Sequence, residues 1–397
     1  MHRIAVRLAG TALAALLLLP ATAGAQRYQQ TNLVSDVPGL AAITDPDLVN
    51  AWGMVHSATS PWWVNDNGTG KSTLYNAAGI KQALVVTVPP PDGSAPGATS
   101  APTGIVFNGS TTDFIVANPA DSTKSGAARF IFATEDGTIS GWNPTANPKT
   151  AIIKVDHSTS AVYKSLAMGV FNGTALLYAA NFTGGKVEVF DSSWAPASVP
   201  GGFVDTHLPP NYSAFNVQNI GGNIFVTFAK SDGTKDEVHG RGFGFVDEFD
   251  TGGNLLKRLE HGKWLNAPWG IALAPADFGK FSNHLLVGNF GSGTIAAYDP
   301  SSGDFKGLLR GRHERRIVIP GLWALAFGSG GAGLANNGPA NTLFFSAGID
   351  DEEHGLFGTL TAVPRKHDDD GKDDDDKGSD ARDHHDMDRD DSDHDQR

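Results

Sequence analysis

The chain has 397 residues, no cysteine, 40% apolar residues and a formal charge of −13 at pH 7. Without cysteine there are no disulfides, no thiol catalysis and no zinc or iron–sulfur site built on sulfur. The acidity is concentrated at the C-terminal end and no basic stripe runs through the rest, which argues against nucleic-acid binding.

Residues 1–25 read as a secretory leader. His2, Arg3 and Arg7 precede a short apolar core from Leu8 to Leu19, and Ala23-Gly-Ala25 supplies a small-x-small cleavage pattern. The expected mature chain begins at Gln26 and is secreted or periplasmic. The apolar core is short for a membrane span, although a retained anchor is the alternative, and no later stretch reaches about 18 unbroken apolar residues. No membrane span is therefore expected after cleavage.

From Gln26 to Pro364 the chain alternates short runs of Val, Ile, Phe, Tyr and Trp with clusters of Gly, Asn, Asp, Pro and Ser. That is the signature of strands joined by tight turns, with almost no helical periodicity. The run also repeats itself. Each unit opens on a bulky residue before a small one: Trp52-Gly53, Thr103-Gly104, Met168-Gly169, a degenerate copy near Val217-Gln218, Trp269-Gly270 and Trp323-Ala324. Five units then place an aromatic before Asn or Asp, at Tyr75-Asn76, Trp142-Asn143, Phe190-Asp191, Phe249-Asp250 and Tyr298-Asp299. The aromatic can pack between sheets while the Asx side chain caps the following turn.

Six openings against five aromatic-Asx pairs imply a ring whose last copy is one strand short. The spare strand is Tyr28 to Ser35, ahead of the first unit, and pairing it beside Leu356 to Val363 would close the ring and remove an exposed edge. The expected fold is all-β, a six-bladed β-propeller over residues 26–364 closed by an N-terminal strand. A run around Asp113 to Val116 reads as a hairpin inserted in the second unit, and Ser231 to Arg241 as a polar insertion in the fourth. Counting the second unit's surplus as a blade gives seven, the alternative.

After Pro364 the composition changes. Residues 365–397 hold 15 Asp, 7 Lys plus Arg and 4 His, with Met387 the one large apolar residue. Such a segment buries too little to offset the entropy of ordering, so a disordered acidic tail is expected. It carries −8, leaving the body at −7 once the leader's two arginines are removed.

Asn50-Ala-Trp-Gly53, the segment Phe132 to Pro144 and Ala267-Pro-Trp-Gly270 resemble an uncharacterised family of secreted bacterial β-propeller proteins, over about Tyr28 to Pro364. Some members carry C-terminal sorting tags, in whose place this sequence has the acidic run. The resemblance implies fold and export and brings no activity with it. More distantly the blades are similar to six-bladed lactonase and NHL-type propellers, a likeness of fold that does not fix function.

In a propeller the loops entering the innermost strands and the turns between second and third strands share one mouth of the central channel. Asp66, Asn181 and Asn289 stand in one register at the end of the second strand in units one, three and five, so closure would set them at thirds of a turn. Oxygen ligands of this kind suit Ca²⁺ or Mg²⁺, and lactonase-like propellers hold a metal with such a set. The other reading is that they cap glycine turns. Asn65, Asn67, Glu135, Asp136, Asp350, Asp351 and Glu352 are the neighbouring acids and amides. Trp52, Trp269 and Trp323 share the opening position of units one, five and six, neighbours once the ring closes. They form either an arc on which a sugar or other flat ligand stacks or packing between blades. His56 and His354 are the candidate general bases among scattered histidines. No nucleophile elbow, phosphate loop or dinucleotide fingerprint is present.

Two functions follow. The first is a binding scaffold for a protein, glycan or surface partner, expected as a monomer. The second is a Ca²⁺-dependent hydrolase or lyase of the lactonase-like kind.

Overall fold

A computed structural model describes residues 27–311, 314–330 and 336–363. The expected leader and the expected acidic tail lie outside the described residues. Within them the protein is all-β, with helix limited to short 3-10 turns such as Asn67–Thr69 and Gly279–Phe281. Among the described residues no helix is long and apolar enough to cross a membrane.

Six antiparallel sheets are arranged as the blades of a propeller. Their innermost strands are Ala51–Val55, Pro102–Phe107, Tyr163–Phe171, Tyr212–Ile220, Pro268–Leu273 and Leu322–Phe327. Each packs against the innermost strand of the next blade, and the sixth returns to the first. Where the opening carries a glycine, the missing side chain allows this approach. A Cβ on Gly53 would lie 2.3 Å from the Thr103 carbonyl oxygen, and one on Gly104 would lie 2.5 Å from the Leu166 nitrogen.

The ring closes as the strand count requires. Arg27–Ser35 runs antiparallel to His354–Val363, with Tyr28 opposite Ala362 and Ser35 opposite Leu356. The short strand Ile43–Thr44 pairs beside it in parallel. Tyr28 also ties this blade to the fifth. Its ring lies 4.7 Å from that of Phe278, its hydroxyl accepts a hydrogen bond from the Phe281 N–H at 3.0 Å, and its own N–H donates to the Arg310 carbonyl.

The second unit's surplus is a hairpin, Ile115–Asn118 with Asp121–Ala127, and not a seventh blade. It reaches the third blade, where Trp194 donates to the Ile115 carbonyl at 2.9 Å and packs edge-on against Phe114. The five aromatic-Asx pairs do the two jobs that their chemistry suggests. The aromatics are at most 7% exposed, and each Asx side-chain oxygen accepts a backbone N–H of the next turn, as in Ser193 to Asp191 and Ser301 to Asp299, both 2.8 Å.

The opening motif needs one correction. Every innermost strand carries one extra residue near its start, after the first paired residue in five blades and after the third, Ala214, in blade four, a β-bulge that turns a side chain toward the axis. The six residues concerned are Trp52, Thr103, Lys164, Phe215, Trp269 and Trp323. In blades three and four the motif is thus Lys164-Ser165 and Phe215-Asn216, earlier than Met168-Gly169 and Val217-Gln218. The usual glycine is replaced there by side chains that bond across the blade boundary. Ser165 donates to Asn216, and Asn216 donates to the Trp269 carbonyl at 2.5 Å.

Candidate functional site

The bulge residues plug the axis. Phe290 stacks on Trp323 at 3.8 Å and Trp323 on Trp52 at 3.6 Å, with Trp269 edge-on to Trp323. The plug divides the axis into two unlike ends.

At the end where chains enter the innermost strands, a polar cluster sits on the plug. Lys164, 2% exposed at its side chain, binds Glu135 at 2.7 Å and lies 3.9 Å from Glu237 and 5.1 Å above the Trp52 ring. Asn67 donates to Glu135 at 3.0 Å. Asn50 donates to Glu352 at 2.7 Å while accepting from the Trp323 indole at 3.0 Å. Burial works against the charge of both Lys164 and Glu135. Their mutual attraction more than restores it, so the lysine pKa lies above and the glutamate pKa below the ordinary value. Glu237 is carried in by the polar insertion of blade four, through the two-residue strand Glu237–Val238, and His239 bonds it at 3.2 Å.

Glu352 has no such cation of its own. Burial first, then repulsion from Glu135 and Glu237, pushes its pKa to about 7. It stands at the end of three consecutive left-handed residues, Asp350, Asp351 and Glu352, with φ of 53°, 52° and 69°. That backbone is strained for residues with a side chain. The sign of its pH effect follows. Between pH 4.5 and 7 the folded protein holds a proton that the unfolded chain has released, so this group's contribution is full below 4.5 and is lost as pH rises toward 7. Glu352→Gln is expected to stabilise the protein by on the order of 2 kcal/mol at pH 8 and to change little near pH 4.5. Urea unfolding of both proteins at the two pH values is the check, and an equal difference at both would refute it.

At the opposite end a funnel of about 340 Å³ opens between the innermost strands, with Trp269 in its lining. Each of these strands pairs on one side only, so six unpaired backbone edges face the axis. Met54, Met168 and Leu325 supply apolar wall and Gln218 a side-chain amide.

The structure brings the three tryptophans together at the axis, where they are 0, 5 and 0% exposed. It keeps Asp66, Asn181 and Asn289 in one register, each opposite the first residue of its innermost strand, but does not gather them. Asn181 accepts from the Gly184 N–H and donates to Glu188, and Asn289 accepts from the Asn266 N–H and donates to the Thr294 carbonyl. Asp66 is fully buried near Asp45 and Thr73, and burial raises its pKa well above the ordinary value. Among the described residues no group of three or more His, Asp or Glu is placed to hold a metal ion. His56 turns both ring nitrogens to backbone carbonyls, of Ser57 and Phe327, and His354 pairs with Asp36 at 2.7 Å.

Of the mouth cluster, Asn67, Glu135 and Glu352 stood out in the sequence as neighbours of the site. Lys164, Asn50 and Glu237 did not. The available signal for Lys164 was its place as a bulky residue before Ser165, four positions ahead of Met168-Gly169.

The protein is therefore a six-bladed β-propeller with a plugged axis, closed by its N-terminal strand. It belongs to a family of uncharacterised proteins. It is 32% identical over 339 residues to uncharacterized protein R648 of Acanthamoeba polyphaga mimivirus, covering 83% of this chain and 78% of that one. It is 30% identical over 338 residues to uncharacterized protein L690 of the same virus, covering 83% and 84%. No family model matches. Among solved structures, a structural genomics protein of unknown function from Bacteroides thetaiotaomicron aligns over 85% of this chain and 76% of that one, with a TM-score of 0.51 at 9% identity, a likeness of fold alone.

Proposed function

We propose that the protein is a binding scaffold, exported as its leader implies, whose axial funnel receives a projecting group of a protein or glycan partner. The observation that carries this reading is the funnel itself. Its volume of about 340 Å³ lies in the range of ligand sites, and its lining is mainly apolar with a few polar groups. The unpaired strand edges offer donors and acceptors on every side, so a sugar or a polar side chain finds partners there. Trp269 at its floor supplies an aromatic surface. Binding is favoured over catalysis because His56, the titratable side chain in the funnel, has both nitrogens engaged with carbonyls.

The test is to block the funnel. Ala326, half-buried in its wall, is replaced by Trp, and both proteins are applied to immobilised glycan and peptide arrays. The wild-type protein is expected to bind a discrete set of probes, and Ala326→Trp to lose them with its melting temperature kept. Retention of every probe by the blocked variant would overturn the reading.

A further inference from the structure

Blade three differs from its neighbours at the rim. Its outermost strand, Pro196–Ala197, has two residues, where the outer strands of blades one, two, four and five have seven, five, four and four. It pairs with Val189 and Phe190 of the strand Lys186–Asp191, leaving Lys186 to Glu188 with no strand outside them. After Ala197 the chain turns away through Val199 to Phe203. The vacated space is a cavity of about 390 Å³, lined on its apolar side by Val187, Val189, Val199 and Phe203, all under 10% exposed.

A hydrogen-bond relay borders this cavity. The Tyr163 hydroxyl lies 2.5 Å from Glu188 Oε2 and 2.7 Å from His157 Nδ1. Glu188 is a carboxylate. Burial alone would raise its pKa, but hydrogen bonds from Tyr163, Asn181 and Lys186 bring it below the ordinary value. A carboxylate accepts only, so the single Tyr163 proton goes to Glu188, and the tyrosine oxygen must accept from His157 Nδ1–H. When the ring carries a single proton, that proton sits on Nδ1 and Nε2 is an acceptor. His157 lines the cavity, and Nε2 has no partner among the described residues.

We propose that this cavity binds an aromatic hydroxyl group, either a free phenol or a tyrosine side chain, with the ring against Val187, Val189, Val199 and Phe203 and the O–H donating to His157 Nε2. The site is separate from the axial funnel and stands or falls independently of it. A phenol matches both halves, an apolar ring for the four side chains and a donor for the His157 acceptor. Tyr163 acts as a positioning residue, fixing the tautomer that makes Nε2 an acceptor.

The full chain is titrated with p-cresol, with toluene as the isostere lacking the hydroxyl, and with N-acetyltyrosinamide, followed by calorimetry and by the His157 imidazole resonances. Saturable p-cresol binding is expected, about tenfold tighter than toluene, the value of one neutral hydrogen bond. His157→Phe should abolish that preference and leave the melting temperature unchanged, since the ring is one-third exposed. Tyr163→Phe should reduce the preference while keeping His157 in place. Tighter binding of N-acetyltyrosinamide than of p-cresol assigns the site to a peptide, and the reverse to a free phenol. Equal binding of p-cresol and toluene, no saturable p-cresol binding, or undiminished p-cresol binding by His157→Phe would each overturn the proposal.

Discussion

Deleting Arg27–Ser35 is expected to abolish cooperative unfolding of the whole ring, although nine residues are lost from one rim. The strand supplies the outer partner of His354–Val363 from Leu356 to Val363, and its removal opens an eight-residue edge to solvent. An open edge of that length templates pairing with other chains, so the truncated protein should aggregate. The loss also reaches blade five, because Tyr28, 2% exposed, packs on Phe278 and Phe281 and bonds the backbone there. Tyr28→Ala alone should cost about 3–5 kcal/mol, the usual range for emptying a large aromatic site in a core. Urea unfolding followed by circular dichroism measures both. A truncated chain that still unfolds in one sharp transition at an unchanged midpoint would show that the ring does not depend on this closure.

That closure was legible in the sequence because it rests on counting: five aromatic-Asx pairs, six openings, and one strand left over. Tyr75-Asn76 and its four copies were legible for a different reason. The aromatic and the capping oxygen act within a few residues of each other, so local chemistry suffices. Lys164 was hidden by the same rule that revealed the others. Where Gly53 and Gly104 make a close approach possible by lacking a side chain, Ser165 and Asn216 achieve it by hydrogen bonding, and a search for a glycine passes over them. The register of Asp66, Asn181 and Asn289 was also readable, but register fixes position along a strand and not what the side chain bonds. A turn N–H three residues away holds Asn181, and burial surrounds Asp66, before anything at the axis can compete for them. Glu237 was beyond reach. It belongs to a polar insertion whose path over the mouth is a tertiary fact.

The mouth cluster is built around Lys164, and Lys164→Met tests it. The substitution keeps length and apolar bulk, so Trp52 and Phe182 retain a neighbour at the position of the aliphatic stem. What is lost is the cation. Glu135 keeps its hydrogen bond from Asn67 and the weaker attraction of Lys235, but faces Glu237 and Glu352 without its buried ion-pair partner. Removing one member of a buried ion pair costs about 3–5 kcal/mol, because the remaining charge stays desolvated. The loss should be largest at pH 8, where all three carboxylates are ionised, and should shrink as pH falls and they take up protons. The sign is fixed by linkage: in the variant the folded state binds protons more readily than the unfolded chain, so acid favours folding. Adding Glu135→Gln to Lys164→Met should recover part of the loss, a coupling that a double-mutant cycle isolates. If Lys164→Met matched the parent at pH 8, or lost as much at pH 5 as at pH 8, the cluster would not be held by this charge.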